Sequence, residues 1–162
     1  MRDIRSILIL FLLLPAISLG QTIHMKKNEI VYEGKLEVNG DSYNHAKSLL
    51  LNFTNADSIK EEKDNKKLSS IVKVKLPSTY AVQKYLSYQV NLHPASGIIE
   101  YQIKDVQLTL HERSKKPRIL SSEQLLKGMD ESGNTSRDAE KILDDIDMYI
   151  QQFIARMKTT GY

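Results

Sequence analysis

The chain has no cysteine and no tryptophan, only 4 prolines and 7 glycines among its 162 residues, and one uninterrupted apolar run of any length. Without cysteine there are no disulfide staples, no thiolate nucleophile and no lipid-bearing cysteine at a processing point. A fold built from this chain is held by its core alone. Charge of one sign is also lacking: 23 Lys and Arg against 20 Asp and Glu leave a formal +3, too mild a balance to draw the protein strongly to nucleic acid or anionic lipid. The catalytic signatures are missing as well. No G-x-S-x-G elbow, H-E-x-x-H, Walker loop or G-x-G-x-x-G is present, so no cofactor, metal or catalytic residue is nominated.

The one long apolar run is Ile7 to Leu14. It comes after Arg2 and Arg5, is broken by Pro15, and leads to Ser18-Leu19-Gly20 before Gln21. This is the layout of a cleavable secretory signal, with cleavage expected between Gly20 and Gln21. A permanent span would need ~20 apolar residues, so no membrane anchor is expected after cleavage. The organisation read from the sequence is a signal over 1–20, a loose polar lead-in over 21–29, and a single domain over 30–158. Loss of Arg2, Asp3 and Arg5 moves the formal charge from +3 to +2.

Within the domain, Ile30, Tyr32, Leu36 and Val38 alternate with Glu33, Lys35 and Glu37, which predicts a half-buried strand. Gly34 takes a place on the apolar side, a sign of close packing or a bulge. Asn39-Gly40 ends the strand, Asp41 or Ser42 can cap a helix, and Tyr43, Ala46, Leu49, Leu50 and Phe53 predict that helix, amphipathic, over 42–54. The polar stretch 55–67 reads as a solvated loop. Strands are predicted over 68–76, where Val72, Val74 and Leu76 point inward, and around 86–93, where Leu86, Tyr88, Val90 and Leu92 do. Pro94 to Gly97 forms the turn to an antiparallel partner. Ser121 and Gln124 have capping-box spacing before Leu125 and Leu126. Thr135 then caps a long helix with a stripe running from Ala139 through Ile146, Ile150 and Phe153 to Met157.

The partner strand, "IIEYQIKDVQLTL" over 98–110, changes phase. Ile99, Tyr101 and Ile103 hold one face, but Val106, Leu108 and Leu110 come one residue out of step. Either one residue is extruded as a β-bulge, so that all six share a face, or the second half turns its apolar side to the other face. At about 25 cal/mol per Å² of apolar surface, leaving three such side chains wet forgoes several kcal/mol, which favours the bulge. The expected class is α+β: a single antiparallel sheet in β-α-β-β-β-α order, both helices on one face, the other face polar.

The segments "VYEGKLEVNGDSYNHAKSLLLNF" and "SYQVNLHPASGIIEYQIKDVQL", with the closing amphipathic helix, resemble an uncharacterised family of exported Gram-negative bacterial proteins. That family is known as a domain of unknown function with a fold like the TATA-binding protein. The chain departs from the family in lacking the tryptophan that members often carry near the end of the first helix. The resemblance implies a curved antiparallel sheet backed by two helices, in the periplasm or cell envelope. It implies no activity.

Candidate binding residues therefore come from the uncovered polar face: Lys73, Lys75, Gln89, Asn91, Glu100 and Gln102. Their partner is expected to be an unidentified envelope protein or small ligand, and not nucleic acid, because a minor-groove reader needs a strongly basic face with apolar wedges. The rival reading is a hydrolase-like enzyme whose site assembles only in three dimensions, for example with His93 or His111 beside a carboxylate from another strand, or else a structural subunit of an envelope assembly. Asp144, Asp145 and Asp147 sit inside the long helix, without the glycine a calcium loop turns on, and read as a solvated helix face.

Overall fold

The computed structural model describes residues 24–26, 29–62, 66–78, 81–127 and 137–159. The expected signal, its Gly20-Gln21 cleavage point and the cap at Thr135 lie outside the described residues. Strands β1 (His24–Lys26), β2 (Glu29–Glu37), β3 (Lys60–Glu62), β4 (Lys67–Leu76), β5 (Val82–Ala95), β6 (Ile98–Glu112) and β7 (Arg118–Ser121) form one sheet. Helices α1 (Ser42–Leu51), α2 (Ser122–Leu126) and α3 (Arg137–Thr159) accompany it, with a short 3-10 turn at Ala56–Ser58. The strand order is β1-β2-β6-β5-β4-β3, and β7 lies beside β6. Every neighbouring pair is antiparallel. Among the described residues no helix is long and apolar enough to cross a membrane.

Both long helices cover one face, as the alternation predicts. Ala46, Leu49 and Leu50 of α1 and Ile146, Ile150, Phe153, Ile154 and Met157 of α3 share a core with the inward residues of β2, β4, β5 and β6. Asp41 caps α1 through its carboxylate, which accepts from the backbone N–H groups of Tyr43 and Asn44. Gly34 has ordinary extended backbone and sits opposite Tyr101. A Cβ there would collide with the Tyr101 hydroxyl, so of close packing and a bulge it is close packing that the glycine marks.

The phase slip is a bulge. Ser87 pairs with Gln107 while Gln89 pairs with Lys104, so Tyr88 faces both Asp105 and Val106. Asp105 adopts the left-handed conformation, φ +53°. Val106, Leu108 and Leu110 thereby rejoin Ile99, Tyr101 and Ile103 in the core. The bend also divides the outer edge of β6: β2 pairs with it as far as Ile103, and β7 takes over from Gln107. In the gap the Ser122 hydroxyl donates to the Val106 carbonyl at 2.9 Å. A β-branched residue at the bulge meets the steric cost of the left-handed region. Asp105→Val is therefore expected to lower the unfolding free energy by about 1–2 kcal/mol, while Asp105→Gly leaves it unchanged or slightly raised. Urea denaturation reads both, and equal stability of the Val variant would show that the bulge does not need this backbone geometry.

Three stretches differ from the sequence expectation. The loose lead-in over 21–29 contains β1, which pairs with the start of β2. The polar stretch 55–67 is no simple solvated loop: β3 pairs with β4, and Glu61 accepts from the Tyr43 hydroxyl at 2.8 Å and from Lys47 at 2.6 Å, which ties the sheet edge to α1. The expected β-α-β-β-β-α order also gains β7 before α2, whose predicted capping box, Ser121 with Gln124, is formed.

The aspartate run on α3 is likewise not wholly solvated, because Asp147 accepts a hydrogen bond from the Tyr32 hydroxyl at 2.9 Å. Burial, then the Asp147 charge and that hydrogen bond, push the Tyr32 hydroxyl far above its usual range; burial does the same to Tyr88. In the unfolded chain tyrosine ionises near pH ~10. A folded-state pKa raised above that value gives a contribution that is complete below pH ~10 and is lost as pH rises further. Tyr32→Phe is expected to cost about 1 kcal/mol at neutral pH and to make the alkaline decline shallower. Urea midpoints measured on either side of pH ~10 test this, and an equally steep decline in the variant would remove Tyr32 from the account.

Candidate functional site

The face away from the helices is set by the alternate residues of four long strands, and the register aligns them in rows. One row runs Glu33, Gln102, Asn91, Ser69, Lys60 across β2, β6, β5, β4 and β3. The next places Lys35 opposite Glu100 and Glu100 opposite His93, with Lys67 at the start of β4. These two rows border a concavity of about 670 Å³, lined by Glu33, Lys35, Lys67, Asn91, His93, Glu100 and Gln102 together with Gly34 and Tyr101.

Its floor is a directed chain of hydrogen bonds. Gln89 Nε2 donates to Asn91 Oδ1 at 2.8 Å, Asn91 Nδ2 to Gln102 Oε1 at 3.3 Å, and Gln102 Nε2 to Glu33 Oε1 at 2.8 Å. The direction is fixed by its end, since an ionised carboxylate can only accept. Asn91 is 5 % exposed, unusual for an amide on an uncovered sheet face. Each amide still has a second donor or lone pair to offer a ligand. Beside this floor Lys35 and Glu100 form an ion pair of 2.8 Å with both side chains well exposed, a contact that contributes little to stability. The Lys35 hydrogen bond and charge hold the Glu100 carboxyl below its ordinary range, and the charge of His93 acts in the same direction.

Three of the six predicted residues, Asn91, Glu100 and Gln102, line this concavity, and Gln89 joins them through its hydrogen bond to Asn91. Lys73 and Lys75 share the face but lie further along β4, opposite Ser87 and Tyr85, away from the concavity. The sequence pattern places Glu33 and Lys35 on this face without singling them out, and it leaves His93 abutting a turn. Alternation along β5 puts His93 on the same side as Asn91, which is the signal that was available. The rival reading's His93 does stand opposite a carboxylate on another strand, that of Glu100. Glu100 is pinned by Lys35 and its carboxyl is lowered, the wrong direction for a general acid near neutrality. His111 instead packs edge-on against Tyr85, ring centroids 5.2 Å apart. Among the described residues no three of His, Cys, Asp and Glu stand close enough to share a metal.

No family model matches the chain and no curated protein matches it in sequence. Solved structures do. A TBP-like protein from Parabacteroides distasonis ATCC 8503 superposes with a TM-score of 0.61 at 11 % identity, over 86 % of this chain and 96 % of that one. A DUF4468 family protein from Bacteroides ovatus ATCC 8483 gives 0.54 at 13 %, over 86 % and 91 %. At such identities the likeness shows the fold alone, an antiparallel α+β fold of the TBP-like kind.

Proposed function

We propose that this TATA-binding-protein-like fold serves as a non-enzymatic binding module of the bacterial envelope, exported by removal of residues 1–20, and that it takes a small polar ligand or a polar segment of an envelope protein on its open sheet face. One observation carries the reading: Asn91 is buried in a directed amide chain at the floor of a concavity of about 670 Å³, a volume within the range of ligand sites. Glu33 and Glu100 border that concavity and offset Lys35 and Lys67, so it carries no strongly basic field to draw a polyanion such as nucleic acid.

The test uses the mature chain purified from its native envelope, with bound small molecules identified by native mass spectrometry and partners by crosslinking. Asn91→Leu and Gln102→Leu keep the side-chain size and remove the donors. Each is expected to weaken the captured ligand or partner by about tenfold or more. Retention by both variants equal to that of the parent would overturn the reading, and cell fractionation tests the export it presumes.

A further inference from the structure

The open face has a second concavity, of about 330 Å³, lined by Lys73, Tyr85, Ser87, Thr109 and His111. It lies past the bulge, four to six residues along β5 from Asn91, or roughly 13–20 Å at 3.3 Å per residue. Its chemistry differs from the first. No carboxylate lines it, and the cross-strand partners of its residues on that face, Lys75, Gln83, Gln107 and Ile119, bring none. Lys73 and Lys75 have no carboxylate partner among the described residues. The Tyr85 hydroxyl donates to Gln83 at 3.0 Å while its ring abuts His111, so the imidazole is held at the rim. The site then presents the Lys73 ammonium, the Ser87 and Thr109 hydroxyls and the imidazole N–H from three adjacent strands, all of them donors.

We infer that this second concavity binds a phosphoryl or sulfuryl oxyanion carried by a small ligand. A cluster of donors with a lysine at one side and no acceptor charge matches a tetrahedral oxyanion, and the absence of a wider basic field limits it to a single group. The inference stands apart from the reading of the first concavity, because the two share no lining residue.

The experiment is NMR titration of the folded mature chain with inorganic phosphate, sulfate and glycerol 3-phosphate, against sodium chloride of equal ionic strength. The expected result is saturable shifts at the Ser87 and Thr109 amides with a Kd on the order of 1 mM, absent with chloride. Lys73→Gln, an exposed position, weakens binding about tenfold, whereas Asn91→Leu leaves it unchanged. Vesicles of phosphatidylglycerol in phosphatidylcholine separate the sources: binding to soluble esters assigns a free ligand, binding to vesicles alone a lipid headgroup. Shifts that chloride reproduces, or that Lys73→Gln does not weaken, would overturn the site.

Discussion

Phe153→Ala is expected to lower the unfolding free energy by about 3–5 kcal/mol, the usual range for removing a buried aromatic ring. Phe153 is 5 % exposed and wedges α3 against two other elements. Its ring meets Phe53, just past α1, edge-on at 4.6 Å, and Tyr88 of β5 at 5.4 Å. Such edge-to-face pairs add about 0.5–1.5 kcal/mol each beyond the area they bury. Truncation removes both pairs and leaves a cavity that the surrounding rings, attached to a helix end and a strand, cannot collapse to fill. In a domain with a margin of about 5–15 kcal/mol, that is a large share. Ile71→Ala is the control: at 56 % exposure on the open face it is expected to stay within about 0.5 kcal/mol. Urea midpoints at unchanged slope decide the matter. A Phe153→Ala cost no larger than that of Ile71→Ala would mean that α3 does not clamp the sheet through this ring.

How much of the fold is legible in the sequence depends on whether a feature is written in side chains or in backbone. The phase slip at Lys104-Asp105 can be read because burial forces period-two alternation, and a break in the alternation has few causes. The stripe of α3 is plain for the same reason. By contrast β1, β3 and β7 are three or four residues long, too short to show a period, and pair through backbone groups that any residue supplies. "KEE" and "RILS" announce nothing.

The site is half legible. Alternation says which residues share the open face, but not which of them stand side by side, since that depends on register. The expected four-residue turn at Pro94 to Gly97 is in fact a two-residue turn: Ala95 pairs with Ile98, and Gly97 takes the left-handed conformation at φ +72°. The strands run longer than their pattern suggests, and this sets His93 opposite Glu100. It also carries the face far enough along β4 to leave Lys73 and Lys75 in separate surroundings from Asn91. The burial of Asn91 arises from the sheet's shape and from Gln89 and Gln102 lying across it, neither of which is encoded in its own neighbours.

Gly34→Ala is expected to cost about 1–3 kcal/mol, the range for overpacking a tight site, and to disturb the concavity as well as the core. The added Cβ would run into the Tyr101 hydroxyl and stand 2.6 and 2.8 Å from two carbons of its ring, and Tyr101 is buried, so the ring cannot swing aside into solvent. Either the ring is displaced within a close-packed core or β2 moves away from β6. The second course touches the site directly, because the Gln102–Glu33 hydrogen bond and the Lys35–Glu100 ion pair join the same two strands on either side of the Gly34–Tyr101 pair. If β2 shifts, Glu33 leaves the end of the amide chain and the carboxyl of Glu100 rises back toward its ordinary range as Lys35 departs. The variant then shows both a lowered urea midpoint and a changed Glu100 titration by NMR. Tyr101→Leu frees the space at a cost of its own, and in the double variant the two costs should sum to clearly more than the measured loss, the mark of residues in contact. Strict additivity would mean that the glycine is not there to admit the ring. An unmoved Glu100 titration would mean that the core absorbs the methyl group without passing the strain to the open face.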